Sequence, residues 1–144
     1  MKYIQNVTVP LSEGIRQQAS IAKIATVDTA GVYTTTAHFL CGENPWGFHQ
    51  DYLFSSPISA VRAGQRICVA AQETMDKDLP NIRVSSEDYA MLLKVLANPR
   101  PSAGTPMHPG LAREILEIIE SIEFASPEPF KRHSKPVQQE VRTP

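Results

Sequence analysis

Ser85-Ser86-Glu87-Asp88-Tyr89-Ala90-Met91-Leu92-Leu93-Lys94-Val95-Leu96-Ala97-Asn98-Pro99 is the stretch that decides the fold class, because both of its ends are marked. A serine followed three residues later by an acid is an N-terminal capping pattern, and Tyr89, Leu92, Leu93 and Leu96 recur at i, i+3, i+4 and i+7. Asn98 suits a left-handed C-terminal position and Pro99 cannot continue a helix. The pattern predicts an amphipathic helix that needs a surface to cover its stripe.

A second helix is expected from Pro109, with Leu111, Ile115, Ile118, Ile119 and Ile122 on one stripe and Arg113, Glu114, Glu117, Glu120 and Glu123 mostly opposite. The connection from Pro99 to His108 is at about the upper end of common helix-to-helix connections, and the two helices are expected as an αα-hairpin on one face of a small antiparallel sheet. The expected fold class is therefore α+β, with an extended, proline-containing C-terminal arm.

Upstream, the sequence predicts strands. Tyr3 to Val9 is rich in β-branched and aromatic residues and is bounded by Pro10. Ser12 to Ala22 has the spacing of a short helix. Ile24 to Val27 and Val32 to Leu40 flank the turn tetrapeptide Asp28-Thr29-Ala30-Gly31 and read as a hairpin, the second arm running through three consecutive threonines. Residues 41 to 52 read as a structured loop, Tyr52-Leu53-Phe54 as a short strand, and Pro57 to Arg62 as a helical turn stopped by Gly64. Gln65 to Ala71 is expected as a buried strand, paired through a loop with Ile82-Arg83-Val84.

The chain has 144 residues, 42% hydrophobic and 20% charged, which suits one core-bearing domain, assigned to residues 1–125 with an arm over 126–144. Net charge is −1, which excludes a polybasic nucleic-acid binder and a strongly acidic disordered protein. Two cysteines are too few for a disulfide scaffold. The N-terminus meets polar residues at once and no apolar run approaches a membrane span. A cytoplasmic protein, or a component of an intracellularly assembled particle, is the expectation.

Within that near-neutral total the charge is divided. Residues 131–144 carry four basic side chains against one acidic, a net +3, leaving ten against fourteen, a net −4, on residues 1–130. Proline is divided too: eight of the twelve lie in the last 46 residues, four around the helix connection and four, at 127, 129, 136 and 144, in the arm. Proline-stiffened arms lose less conformational entropy on docking than flexible ones, which suits subunits of large assemblies such as virus or phage particles. The expected function is accordingly a non-enzymatic structural subunit that docks by its arm into an oligomer, with protein partners, no cofactor and no metal. The expected contacts are Phe130, Lys131, Arg132, Val137 and Val141 of the arm, and Trp46 and Phe48 of an aromatic-rich segment holding six of the ten aromatics in 22 residues.

Two alternatives stand beside it. His38, Cys41, His49 and Cys68 have the ligand chemistry of a zinc site, and Cys41 with His38 or His49, oriented by Asp51, has that of a nucleophilic pair. The irregular spacing does not require either arrangement. The other alternative is a regulatory adaptor that binds a protein partner through the apolar helices. Four basic residues in the tail give nucleic acid at most a weak, salt-sensitive contact. No phosphate-binding glycine motif occurs.

Overall fold

The computed structural model describes residues 1–21, 25–28, 31–41, 58–97 and 109–131. It is α+β with small antiparallel sheets and several helices. In chain order the elements are β1 (Lys2–Gln5), β2 (Thr8–Pro10), α1 (Glu13–Ile21), β3 (Thr26–Asp28), β4 (Gly31–Thr35), α2 (Thr36–Cys41), α3 (Ile58–Asp76), β5 (Asn81–Val84), α4 (Ser86–Ala97), α5 (Pro109–Glu114) and α6 (Leu116–Glu123). One sheet pairs β1 with β5; the other has the order β2-β4-β3, and every pairing is antiparallel.

Of the expected hairpin, β3 and β4 pair antiparallel, with Asp28 opposite Gly31. Gly31 takes φ +117°, a conformation that residues with a Cβ rarely adopt. Its second strand is shorter than expected: it ends at Thr35, and Thr36 to Leu40 become α2. The run changes role because the start of a helix is capped there, one of the caps being the Thr35 hydroxyl. Thr35 Oγ1 accepts the His38 amide at 3.1 Å, Asn6 Oδ1 accepts the Ala37 amide at 3.0 Å, and the Thr36 amide donates to the Val7 carbonyl at 3.0 Å. Three of the four amides that a helix start leaves unpaired are thus satisfied.

The same contacts divide the strand expected over Tyr3 to Val9. The Asn6 amide donates to the Pro80 carbonyl at 3.0 Å and the Val7 amide to Thr36 Oγ1 at 3.0 Å, so the backbone leaves one sheet and joins the other. Pro10 ends β2 opposite Tyr33, and β2 pairs with β4 alone, an edge where a missing amide is harmless.

Residues 65–71 are helix, not strand, and Gly64 stops nothing: α3 runs through both. Ala63, Ile67, Ala71 and Thr74 are buried while Val69, between the buried pair, is 70% exposed. That is a period near four, where a strand would alternate by two. Ile82 to Val84 is a strand as expected, but its partner is β1. The helix ends in a Schellman turn, with the Leu79 amide on the Thr74 carbonyl at 2.9 Å, the Asp78 amide on Met75 at 3.3 Å, and Asp78 itself at φ 51°.

The helix expected between Ser85 and Pro99 is present as α4, with the Asp88 amide on Ser85 Oγ at 3.0 Å. The helix expected from Pro109 is present in two pieces, α5 and α6, separated at Ile115 (φ −102°, ψ 20°). Ile115, Ile118 and Ile122 are fully buried, as their stripe predicts. Tyr89 of α4 joins the two expected hairpin helices by donating its hydroxyl toward the Ile122 carbonyl at 2.7 Å and the Glu123 carbonyl at 2.9 Å, capping the end of α6. The core runs from Ile4 and Val9 through Phe39 and Leu40 of α2 to Ile67, Ile82, Leu92 and Ile118. The loop expected at 41–52 beyond Cys41, the strand at 52–54, the linker from Pro99 to His108 and the arm from Arg132 onward lie outside the described residues.

Candidate functional site

Two places merit a chemical reading: the His and Cys constellation around α2, and the root of the C-terminal arm. On α2, His38 and Cys41 are three residues apart but have different neighbours. His38 belongs to the hairpin: its Nε2 lies 2.9 Å from Thr26 Oγ1 and its Nδ1 2.9 Å from Thr35 Oγ1. Both ring nitrogens are therefore engaged by hydroxyls, and half-burial lowers the imidazole below its ordinary value.

Cys41 instead meets Cys68 at the packing surface of α2 on α3. The Cys41 thiol donates to the Cys68 carbonyl at 3.4 Å, and the Cys68 thiol donates to the Leu40 carbonyl at 3.1 Å. Both cysteines are free thiols. Burial, the neighbouring Cys68 sulfur and Asp76 push the Cys41 thiol up to about 11, and burial also raises Cys68. Both thiols are therefore held protonated at neutral pH, each donating to a backbone carbonyl across the α2–α3 contact. The expected quartet is thus divided between the hairpin and the α2–α3 packing, with His49 and Asp51 outside the described residues. Among the described residues no group of three or more His, Cys, Asp or Glu side chains is placed to hold a metal ion.

One charged pair outside these two places is structural in kind. Arg66 of α3 makes a two-pronged contact with Asp88 in the first turn of α4, Nε to Oδ2 at 2.8 Å and Nη2 to Oδ1 at 2.7 Å. The guanidinium holds the Asp88 carboxyl below the usual range, helped by Ser85. This pair fixes the start of α4 on α3.

At the arm root, the chain after α6 returns to β1 instead of departing. Tyr3 and Ser126 exchange both backbone hydrogen bonds, the Tyr3 amide to the Ser126 carbonyl at 2.7 Å and the reverse at 2.9 Å. Tyr3 is also in register with Arg83 of β5, so Ser126 lies on the opposite edge of β1. Ser126 Oγ then accepts the Glu128 amide at 3.1 Å, closing a bend within Pro127-Glu128-Pro129 that brings Phe130 to Asn81. There the Asn81 side chain acts as a substitute strand: Nδ2 donates to the Phe130 carbonyl at 2.7 Å and Oδ1 accepts the Phe130 amide at 2.9 Å. Phe130 is half-buried and Lys131 is exposed.

Of the expected partner contacts, Phe130 and Lys131 are therefore placed at this root, while Trp46, Phe48, Arg132, Val137 and Val141 lie outside the described residues. Sequence reasoning missed Asn81 and Ser126. An Asn directly before a strand and a Ser directly before Pro127 are the only signals, and they resemble ordinary turn residues.

No family model, curated protein or solved structure matches this chain. Function therefore rests on the residues themselves. Among the described residues no helix is long and apolar enough to cross a membrane.

Proposed function

We propose that the protein is a non-enzymatic assembly subunit whose basic C-terminal arm, residues 126–144, docks on a neighbouring chain. The observation that carries this reading is the paired tether at the arm root, Tyr3 with Ser126 and Asn81 with Phe130. A docking arm needs a fixed origin, because ordering a segment that starts from a stationary point loses less entropy than ordering one on a loose linker. The charge division supports the same reading, since a net +3 segment follows a net −4 body. The stiffening prolines and the reach of such arms fit a multi-copy shell, of which a virus or phage particle is one kind, assembled inside the cell.

The test is the mass of the full chain by light scattering against that of a chain ending at Lys131. The expected outcome is concentration-dependent self-association of the full chain and a folded monomer for the truncated one. Equal masses at all concentrations would refute the proposal.

A further inference from the structure

The groove between α6 and the end of β1 is a cavity of about 350 Å³ whose walls include Gln5 of β1, Glu117 and Glu120 of α6, Phe124 just after it, and Phe130 at the arm root. Phe124 is 72% exposed, an unusual state for a phenyl ring, and Glu117 and Glu120 lie one helical turn apart beside it. An apolar floor with an anionic rim selects a segment that is both cationic and partly aliphatic.

We infer that this groove is the seat for the arm of a second copy of the same chain. The inference rests on the reading of the arm as a docking element and names its acceptor. Residues 131–144 offer Lys131, Arg132, Lys135 and Arg142 with Val137 and Val141, which is the chemistry the groove selects. Three considerations favour the second copy over the chain's own arm. Phe130 lines the groove and is held by Asn81, so an arm seated at home would have to stay confined beside its own origin. Residues 125–144 contain no glycine and four prolines, a composition that favours extension over tight reversal. Finally, root and groove adjoin, so an arm crossing to a neighbour brings that neighbour's root to the first groove. The exchange is then reciprocal between neighbouring copies. Thirteen extended residues span roughly 45 Å, ample for the crossing.

The experiment is the dissociation constant of the full chain, by light scattering over a dilution series, for the wild type, for Glu117→Lys with Glu120→Lys, and for that pair combined with Lys131→Glu and Arg132→Glu. The reversed carboxylates are exposed, so circular dichroism is expected to show an unchanged fold. The expected result is at least tenfold weaker association on reversal and recovery to within threefold in the combined variant. Wild-type association that is unaffected by reversal would overturn this seat while leaving arm-mediated assembly standing. A wild type that stays monomeric overturns both, and if its truncated form binds a synthetic 131–144 peptide, the arm seats on its own body.

Discussion

Two asparagines do the same kind of work in this molecule with different consequences. Half-buried Asn6 uses its side chain to accept the first-turn amide of fully buried Ala37, where β1, β2 and α2 meet. Asn81, equally half-buried, uses both ends of its amide to hold the backbone of half-buried Phe130, where the arm begins. In each case an amide side chain completes a hydrogen-bonding pattern that regular structure does not supply. The lesson is that the Asn6 clamp secures the division of the first strand between two sheets, whereas the Asn81 clamp secures only where the arm begins.

This contrast can be broken at four points, taken in descending order of effect. Replacing Asn6 with alanine leaves the Ala37 amide, in a fully buried residue, without its acceptor, and is expected to cost about 2 kcal/mol in urea unfolding. Thr36→Val removes the acceptor of the Val7 amide and the contact with Ser121 Oγ at 3.1 Å, and is expected to cost about 1.5 kcal/mol by the same measurement.

Asn81→Ala should cost less, about 1 kcal/mol, because water reaches the freed groups of half-buried Phe130. Its larger signature is kinetic: limited trypsin digestion after Lys131 is expected to accelerate severalfold, and an unchanged cleavage rate would mean the clamp does not hold the root.

The smallest effect is on pH dependence. Burial holds His38 neutral in the fold, so its folded value lies below the ordinary 6.5 and the unfolded chain binds the proton first as pH falls. Stability from this group is complete above pH 6.5 and declines as pH drops below it. The His38→Asn variant should lose that part of the decline below pH 6.5, read as a flatter dependence of Tm on pH.

The patterned elements are legible in the residue order alone. The stripe of Tyr89, Leu92 and Leu96 and that of Ile115, Ile118 and Ile122 give α4 and α6, because an amphipathic helix writes its buried face into residue spacing. α3 is not legible in the same way. Its buried positions are mostly small or polar, Ala63, Gly64, Ala71 and Thr74, so the stripe carries little hydrophobic contrast, and the local run from Ile67 to Ala71 imitates a strand. The threonines of 34–36 mislead for a related reason, since the residue type that favours a strand also caps a helix once Thr35 Oγ1 finds the His38 amide. At the candidate site the charge and proline content of the arm are visible in the sequence, while its tether is not.

By itself, then, the sequence determined the helical stripes, the hairpin turn at Gly31, and the division between an acidic body and a basic arm. These are local or compositional properties that need no partner. Only the tertiary structure decided that Cys41 and Cys68 meet while His38 turns to Thr26, that the first strand serves two sheets, and that Ser126 and Phe130 return to Tyr3 and Asn81. Each of those is a hydrogen-bond match between residues far apart in the chain, and such matches depend on where the whole chain brings a donor to an acceptor.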